Sequence, residues 1–473
     1  MNAPDTASVP AVATADSHAL NVIILAAGQG KRMNSRLPKV LQPIAGRPML
    51  GHVLDAARTL GAARIIVVHG HGGDQVQAAF SRETDIVWAH QAEQLGTGHA
   101  VAQALPFCTE GMALVLYGDC PLITAPTLQQ LVASTQGSTL SVLTAHLDTP
   151  TGYGRIVRDG AGKVLRIVEQ KDASPEEASI REINTGFVAA PVEKLGDWLP
   201  QLRNANAQGE YYLTDVIAMT VADGLEVATR SCDHWEAAGV NDKRQLAELE
   251  RVYQRRAADQ LLARGVTLLD PSRFDLRGTL QCGKDVEIDV NVIFEGDVVL
   301  ADGVRIGANC VIRNAVIGEG VIIKSHTVIE DSIIGKGSDV GPFARLRPDT
   351  VLGEKVHIGN FVETKKARLG NGTKAGHLAY LGDAVIGERV NVSAGVITCN
   401  YDGANKFVTT IGDDAFIGTD SQLVAPVIIE TGAYIAAGST ITKTAPADAL
   451  TICRAREQKS ISGWKKPVKQ PKA

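Results

Sequence analysis

The chain has 473 residues, of which 45% are hydrophobic and only 4% aromatic, so it favours two or more domains with cores of small aliphatic side chains. A formal net charge of −5 gives no overall attraction for nucleic acid. No apolar run reaches membrane-spanning length, so a membrane partner is not expected either. The seven cysteines are odd in number and form no CxxC pair, which argues against a disulfide framework and favours a reducing, cytoplasmic location.

The N-terminal segment, residues 1–19, is rich in Ala, Thr and Ser and lacks the basic start and apolar core of a signal peptide. We predict a disordered extension. The first predicted strand, residues 21–25, runs into a glycine-rich turn that contains Lys31 and Arg32. Backbone N–H groups in such a turn can surround an anion. The turn is neither the dinucleotide fingerprint nor a P-loop, and glycine in a strand–helix turn is often steric.

Further strands are predicted at residues 64–68, 85–88 and 113–117, and a polar loop at 91–99 opens a helix. This alternation indicates an α/β domain with a mostly parallel sheet. Lys39 is either a phosphate contact or a solvated surface charge. Asp119 follows the strand at 113–117 directly, where open α/β sheets bind ligands. Its carboxylate suits a divalent cation, although aspartate is also common in plain turns.

These segments together resemble the sugar-phosphate nucleotidyltransferases, and in particular the uridylyltransferase half of the bifunctional GlmU family. The motifs that carry the resemblance are LAAG at 25–28 with Gly30, RM at 32–33, PK at 38–39, the 91–97 loop, YGD at 117–119, GYGR at 152–155, IVE at 167–169, EINTG at 182–186, QGEYYLTD at 208–215 and GVND at 239–242. The resemblance extends from about residue 21 to residue 454. Lys31 departs from it, because the family usually has threonine there.

The resemblance implies transfer of UMP from UTP to N-acetylglucosamine-1-phosphate with the help of Mg²⁺. Such a reaction needs charge neutralisation and alignment more than covalent help. The nucleotide-binding residues that it implies are Leu25, Ala26, Ala27, Gly28, Lys39, Gln91, Gly96, Thr97, Tyr117, Gly118 and Asp119. Arg32 and Lys39 would act on the triphosphate, and Asp119 and Asn241 would share the metal. The sugar phosphate would be held by Gly154, Glu169, Asn184 and Asn241.

A long amphipathic helix is predicted at residues 243–264, because apolar side chains recur there at helical spacing between a capping Asn241 or Asp242 and Gly265. We therefore predict a nucleotidyltransferase domain at 20–242, a linker helix at 243–264, a second domain at 265–455 and a basic tail at 456–473.

The second domain is an internal repeat, in which an aliphatic side chain returns every six residues with an occasional step of five. The positions are Ile317, Ile323, Ile329, Ile334, Val340, Leu346, Leu352 and Ile358, and, after an interruption of twelve residues beyond Thr398, Ile411, Ile417, Leu423, Ile429, Ile435 and Ile441. Stacked coils would place these side chains in one apolar column. Glycine often follows the aliphatic residue, which suits either a positive φ or a close approach of another backbone. The pattern resembles the hexapeptide-repeat, left-handed parallel β-helix family, which includes many trimeric acyltransferases.

Residues outside this column carry polar chemistry. Six cations are concentrated in a short stretch, either for phosphate groups or as a solvated face: Arg345, Arg347, Lys365, Lys366, Arg368 and Lys374. His377 lies off the column, and histidine suits proton transfer near neutral pH, although a lone histidine is usually structural. The segment resembles the acetyltransferase site of the same bifunctional family.

On that resemblance His377 is the general base that accepts a proton from the amine of glucosamine-1-phosphate. The sugar phosphate would contact Arg347, Lys365, Tyr380, Asn391 and Lys406. Acetyl-CoA would contact Ala394, Asn400, Tyr401, Thr419, Ala437 and Arg454.

The sequence thus predicts an α/β nucleotidyltransferase domain with a Rossmann-like, mostly parallel sheet, followed by a left-handed parallel β-helix of hexapeptide repeats. The function predicted is a homotrimeric bifunctional enzyme that makes UDP-N-acetylglucosamine for the cell envelope. Three alternatives compete with it: a single-function pyrophosphorylase with a structural β-helix, a non-catalytic exchange-factor-like subunit, and a carbonic-anhydrase-type metalloenzyme. The last would need zinc ligands from His326, His357 and His377, which lack close paired spacing.

Overall fold

The computed structural model describes residues 19–135 and 140–454. The contacts divide the chain into two compact units, Met1–Val252 and Tyr253–Ala473, so that the division falls inside one helix. The predicted N-terminal extension, except Ala19, and the basic tail at 456–473 lie outside the described residues. The predicted domain limits stay predictions.

The described part of the first unit contains eleven strands and seven α-helices. The strands are β1 Leu20–Leu25, β2 Pro43–Ile44, β3 Arg47–Pro48, β4 Arg64–His69, β5 Ile86–His90, β6 Met112–Tyr117, β7 Leu140–His146, β8 Gly154–Arg158, β9 Val164–Val168, β10 Glu182–Pro191 and β11 Val227–Ser231. The helices are α1 Met49–Thr59, α2 Gly73–Ala79, α3 Thr97–Ala104, α4 Ala125–Ala133, α5 Pro175–Ala178, α6 Val192–Trp198 and α7 Asp215–Ala222.

The main sheet has the strand order β11-β7-β10-β6-β1-β4-β5. The strands β6, β1, β4 and β5 are parallel neighbours, whereas β10 runs antiparallel to β6 and β7. Side chains of β1 are buried on both faces, as expected for a strand covered by helices on both sides. The carboxyl ends of β1, β4 and β6 therefore meet at one edge, which is where the loops with the sequence motifs emerge.

The predicted linker helix is present as α8, Lys243–Ala263. Asp242 caps its start, because its carboxylate accepts hydrogen bonds from the backbone N–H groups of Arg244 and Gln245, each at 2.9 Å. Gly265 follows its end with a φ of +89°. The first turns of α8 hold the segment after Lys39, since Lys243 Nζ donates to Gln42 Oε1 at 2.6 Å.

The second unit is a parallel β-helix of hexapeptide repeats, as predicted. Its strands are β12 Thr267–Leu268, β13 Phe274–Cys282, β14 Glu287–Ile288, β15 Val292–Leu300, β16 Arg305–Ile306, β17 Val311–Ile317, β18 Ile322–Ile323, β19 Val328–Ile334, β20 Asp339–Val340, β21 Arg345–Leu346, β22 Thr350–Leu352, β23 His357–Asn360, β24 Glu363–Leu369, β25 Lys374–His377, β26 Tyr380–Ile386, β27 Asn391–Val392, β28 Ile397–Cys399, β29 Thr409–Ile411, β30 Phe416–Ile417, β31 Gln422–Val424, β32 Val427–Ile429, β33 Tyr434–Ile435, β34 Thr440–Ile441 and β35 Leu450–Thr451.

These strands form one parallel sheet of 11 strands and another of 13. Each coil pairs in register with the next, for example Ile306 with Ile323 and Ile323 with Val340. All the aliphatic residues of the predicted column are buried, and they belong to one continuous core. A polar side chain in this column is accommodated by hydrogen bonds, as when Thr364 and Thr350 bond to each other at 3.0 Å.

The glycines that follow the column residues are explained by close approach. Ten glycines directly follow such an aliphatic residue, and none of them has a positive φ: Gly307, Gly318, Gly335, Gly353, Gly359, Gly370, Gly382, Gly387, Gly412 and Gly418. A Cβ on Gly335 would lie 2.4 Å from the backbone of Gly353 in the next coil, and one on Gly359 would lie 1.9 Å from Gly376 O. The positive φ values occur instead at other corners, for example at Gly303, Gly320 and several Asn and Asp residues.

Candidate functional sites

A cleft of about 230 Å³ opens at the carboxyl ends of β1 and β6. Ten of the predicted nucleotide-binding residues line it: Leu25, Ala26, Ala27, Gly28, Lys39, Gln91, Gly96, Thr97, Tyr117 and Asp119. Parallel strands place the loops of their carboxyl ends side by side, and the cleft lies at that edge, as is usual for open α/β sheets. The cleft thus collects residues from four separate sequence motifs.

Backbone pairing closes one wall of the cleft. Tyr211 N–H donates to Leu95 O at 2.8 Å, and Gly98 N–H donates to Tyr211 O at 2.8 Å. Gly96 has a φ of +113°, and a Cβ there would lie 2.6 Å from Tyr211 O, so only glycine fits. Glu210, next to Tyr211, lines the cleft, as do Val40, Gln94 and Ala100. Sequence reasoning did not single these four out, although Gln94 and Glu210 lie inside motifs that it named.

Three polar side chains from distant parts of the chain converge at the end of β6. Lys39 Nζ forms an ion pair with Asp119 Oδ2 and lies 3.5 Å from Asn241 Oδ1. Val240 N–H donates to Asp119 O at 3.0 Å, which fixes Asn241 beside the aspartate. The ammonium group therefore occupies a position between a carboxylate and an amide oxygen, the donor types that Mg²⁺ prefers. Two protein oxygens fit an ion that takes its other ligands from water and substrate phosphate.

The predicted sugar-binding residues also lie together. Asn184 pairs with Gly154 in the sheet, and a Cβ on Gly154 would lie 3.4 Å from Glu169 Oε1. Thr214 Oγ1 donates to Glu169 at 3.2 Å. Burial raises the pKa of Glu169, and the Thr214 hydrogen bond only partly offsets this. A mostly buried carboxylate with one hydroxyl partner is well suited to accept hydrogen bonds from a sugar.

Two of the residues predicted to bind the nucleotide or its triphosphate do not line the cleft. Gly118 is not among the lining residues, although it is next to Tyr117 and Asp119, which are. Arg32 lies in a 3-10 turn, Lys31–Met33, with an exposed side chain, and it does not line the cleft within the described residues.

In the β-helix, His377 ends β25 with an exposed side chain, whereas Ala375 is fully buried. His377 is therefore off the apolar column, as predicted. Its register partner in the preceding coil is Asn360, whose side-chain Oδ1 is buried without a hydrogen-bond partner in the described residues. Tyr380 begins β26 on the other side of the corner and pairs with Glu363.

Lys365 is the centre of a cationic group. Neighbouring charge on Lys406, and then on Arg347, lowers the pKa of Lys365. Arg347 also donates to Glu363 at 2.7 Å. Cations held this close to one another favour an anionic ligand, because an anion would relieve their repulsion.

The six cations that the sequence groups together do not form one cluster. Lys374 is on β25, in the 11-stranded sheet, whereas Lys365 and Arg368 are on β24, in the 13-stranded sheet. Arg345 is engaged with Glu330 at 3.7 Å. Closeness in sequence does not predict closeness in space here, because the chain turns a corner every few residues. Lys406, from the interruption of the repeat, lies beside Lys365 instead.

The interruption is an ordered loop. Asn400 donates to Asp383, next to Lys365, and its backbone C=O accepts from Phe407 N–H at 2.9 Å. Tyr401 pairs with Lys406 and remains 59% exposed. Asn391 donates to Ser393 at 3.2 Å and pairs with Lys374 rather than with His377.

The predicted acetyl-CoA residues of the last coils are stacked on one another. Asp420, next to Thr419, donates to Ala394 O at 2.8 Å, and Gly438, next to Ala437, donates to Thr419 O at 2.7 Å. Arg454 donates to Ala437 O from both Nε and Nη2, at 3.0 and 2.7 Å. Residues Ala394, Thr419, Ala437 and Arg454 therefore line up along successive coils.

The metalloenzyme alternative finds no support in residues 19–135 and 140–454, where no group of three or more His, Cys, Asp or Glu side chains is arranged to hold a metal ion. In the same residues no helix combines the length and the apolar character needed to cross a membrane.

Comparison with known proteins matches the chain to three families. They are the MobA-like NTP transferase domain over residues 22–264, the GMPPB C-terminal domain over residues 276–369 and the bacterial transferase hexapeptide (six repeats) over residues 409–443. The chain is also similar to proteins named Bifunctional protein GlmU. That of Aromatoleum aromaticum is 62% identical over 453 residues, which are 95% of this chain and 99% of the relative. Those of Azoarcus sp. and Burkholderia multivorans are 61% and 57% identical, each over 95% of this chain and all of the relative.

Proposed function

Since the chain belongs to the bifunctional GlmU family, we propose that its two reactions are divided between the cleft at Asp119 and the β-helix at His377. The enzyme acetylates glucosamine-1-phosphate with acetyl-CoA, and it transfers UMP from UTP to N-acetylglucosamine-1-phosphate. The observation that carries the assignment of the first site is the convergence of Lys39, Asp119 and Asn241, which are separated by 80 and 202 residues in the chain.

In the cleft, a phosphate oxygen of N-acetylglucosamine-1-phosphate attacks the α-phosphorus of UTP. The bond from that phosphorus to the bridging oxygen breaks, and pyrophosphate leaves with the negative charge. Lys39 neutralises charge on the triphosphate, and Arg32 reaches it from the exposed turn. Mg²⁺ bound at Asp119 and Asn241 would supply further neutralisation of phosphate charge. The uridine binds against the wall of the cleft formed by Gly96 and Thr97, and Gln91 contacts its base.

Selection of the sugar is assigned to Gly154, Glu169 and Asn184. The missing Cβ of Gly154 leaves space in front of the Glu169 carboxylate. Glu169 accepts hydrogen bonds from sugar hydroxyl groups, and Asn184 can both donate to and accept from the N-acetyl group. A substrate lacking these groups would leave the mostly buried Glu169 carboxylate without the additional hydrogen bonds that the sugar supplies, which is costly.

In the β-helix, the amine nitrogen of glucosamine-1-phosphate attacks the thioester carbonyl carbon of acetyl-CoA. His377 accepts the proton that the nitrogen loses. The C–S bond breaks, and the departing thiolate of coenzyme A takes up a proton. The substrate phosphate binds the cations at Lys365, Arg347 and Lys406, and Tyr380 and Asn391 contact the sugar. Acetyl-CoA lies along the stacked residues Ala394, Thr419, Ala437 and Arg454, with Asn400 and Tyr401 near the thioester.

The protein works as a homotrimer, and a row of exposed side chains supports this. His326, Phe343, Phe361 and Leu378 occupy the same corner of four successive coils, with φ between +49° and +62°. His326 and Phe343 stack at 4.7 Å, yet Phe343, Phe361 and Leu378 are 47–60% exposed. Bulky apolar residues pay backbone strain at such positions, so we assign this row to the contact with another copy. Leu378 directly follows His377, so we assign the acetyl-transfer site to the neighbourhood of that contact.

A cytoplasmic location suits both reactions. The substrates are phosphorylated metabolites, and no disulfide joins any of the seven cysteines, all of which lie in the described residues.

One assay tests the division of labour. Purified protein is incubated with glucosamine-1-phosphate, acetyl-CoA, UTP and Mg²⁺, while free thiol and pyrophosphate are followed separately. Thiol should appear without UTP, whereas pyrophosphate should appear from glucosamine-1-phosphate only when acetyl-CoA is present. A single-function pyrophosphorylase would give a different result. It would release pyrophosphate when N-acetylglucosamine-1-phosphate is supplied with UTP, but it would release no thiol from glucosamine-1-phosphate and acetyl-CoA.

A further inference from the structure

Arg155 is an arginine buried without a carboxylate partner. It lies on β8 directly after Gly154, and it is only 2% exposed, which makes it one of the largest fully buried side chains in the described residues. Its guanidinium donates to Tyr153 O, to Gln170 Oε1 at 2.7 Å and to Ala178 O at 3.3 Å. All three acceptors are neutral, and its Nε has no partner in the described residues. A buried cation compensated only by dipoles is costly, so its presence here calls for an explanation.

The contacts of Arg155 join the two turns that flank the sugar side of the cleft. Tyr153 directly precedes Gly154, and Gln170 directly follows Glu169. Gln170 Oε1 accepts from Gly152 N–H at 3.2 Å as well as from Arg155. The guanidinium of Arg155 thus connects the residue that precedes Gly154 with the residue that follows Glu169.

The sheet alone does not hold these turns together. The last register pair between β8 and β9 on this side joins Arg155 to Val168, and the ladder between the two strands ends there. Past this pair, Arg155 donates hydrogen bonds to both Tyr153 and Gln170, and Gly152 N–H donates to Gln170. The separation of Gly154 from Glu169 therefore depends on the planar, two-pronged geometry of arginine, which a point-charge lysine cannot reproduce.

We propose that Arg155 is a positioning residue for the uridylyl acceptor: it fixes the distance between Gly154 and Glu169 and so sets the fit of the N-acetylhexosamine 1-phosphate. The proposal rests on the proposed role of Gly154 and Glu169 in sugar binding. Arg155 does not touch substrate itself. It acts through the two turns that do.

The test compares Arg155→Met and Arg155→Lys with the parent, by steady-state kinetics of pyrophosphate release. A misplacement on the scale of 1 Å can cost about 100-fold in reactivity, so Arg155→Met should lower kcat/KM for N-acetylglucosamine-1-phosphate by about 10- to 100-fold, mainly through a higher KM. KM for UTP should stay within about twofold, because the nucleotide wall is built from other loops. Arg155→Lys should lie between the parent and the methionine variant, and the acetyltransferase rate should be unchanged in both.

Arg158→Met is a matched control. Arg158 is on the same strand and makes at least as many hydrogen bonds, to Glu182, Gly162 and Thr229, but it contacts neither turn. A general loss of strand stability would affect both variants alike, whereas positioning predicts a KM effect only for Arg155. If Arg155→Met fails to fold, Gln170→Met removes the other end of the contact and should raise the same KM.

The outcomes separate this proposal from the one on which it rests. If Glu169→Gln raises KM for the sugar phosphate but folded Arg155→Met and Gln170→Met do not, Arg155 is only a structural residue. If Glu169→Gln leaves that KM unchanged, Glu169 does not bind the sugar. The sugar-binding assignment and the positioning role of Arg155 would then both be refuted.

Discussion

A pair of substitutions can separate the two roles proposed for Asp119, in pairing with Lys39 and in binding Mg²⁺. Its carboxylate pairs with Lys39, and both side chains are mostly buried, with relative exposures of 14% and 15%. Asp119→Asn should therefore leave the Lys39 ammonium without a counter-charge in a largely desolvated place. An exposed pair would cost at most about 1 kcal/mol, whereas breaking a buried pair costs about 3–5 kcal/mol. Because some solvent reaches this pair, a loss of about 2–3 kcal/mol in the free energy of unfolding is expected.

The catalytic loss should be larger than the loss of stability accounts for. Removing one preorganised electrostatic group from a reaction centre typically costs about 10²–10³ in rate, and Asp119 is also the charged half of the assigned Mg²⁺ site. Replacing Lys39 as well, in Asp119→Asn/Lys39→Met, should return most of the lost stability, since no uncompensated charge remains. It should not return uridylyl transfer.

The assay follows pyrophosphate release against Mg²⁺ concentration, with urea unfolding of the same preparations. The acetyltransferase rate is an internal control, since it is measured on the same molecules and should not change. The reasoning would be refuted if Asp119→Asn kept the parent's rate and Mg²⁺ dependence. It would also be refuted if the double variant recovered activity together with stability, because Asp119 would then serve only to neutralise Lys39.

Four further outcomes are expected. His377→Ala should lower the acetylation rate by about 10²–10⁴-fold while uridylyl transfer and melting temperature stay at parent values; a lower melting temperature with acetylation reduced only in proportion would make His377 structural. Glu169→Gln should unfold at higher urea concentration at neutral pH, because burial raises the pKa of Glu169 and its charged form destabilises the folded state. That gain should fade as the pH falls through the folded pKa toward the unfolded value of about 4.3, and a gain independent of pH would contradict it. Phe343→Asn/Phe361→Asn places a residue that tolerates positive φ at both corners, and it should convert the proposed trimer to folded monomers in sedimentation equilibrium; a variant that stays trimeric would show that the contact between copies lies elsewhere. A fragment of residues 1–263 should keep uridylyl transfer and lose acetyl transfer, and a folded fragment without uridylyl transfer would show that the two activities are not separable.

Local patterns were enough to predict much of this protein. The six-residue period determines which side chains enter the β-helix core, because a coil returns to the same face after a fixed number of residues, and Ile317 and Ile323 are buried as that period requires. The capped helix Lys243–Ala263 was predictable for the same reason, since its apolar spacing and its caps are local. Asp119 was predicted to lie at a ligand-binding edge of the sheet because it comes just after a parallel strand.

The tertiary structure decided what depends on contacts between distant segments. Lys39 meets Asp119 and Asn241 only because the sheet order places β1 beside β6 and because Val240 bonds to Asp119. Neither periodicity nor spacing encodes that meeting. Likewise, the choice between positive φ and close approach for the β-helix glycines depends on the backbone of the next coil, and the partner of Lys365 depends on where the interrupting loop returns. Arg155 shows the limit most clearly: the sequence places it in the GYGR motif without a role of its own, and the role proposed for it depends on its burial between two turns.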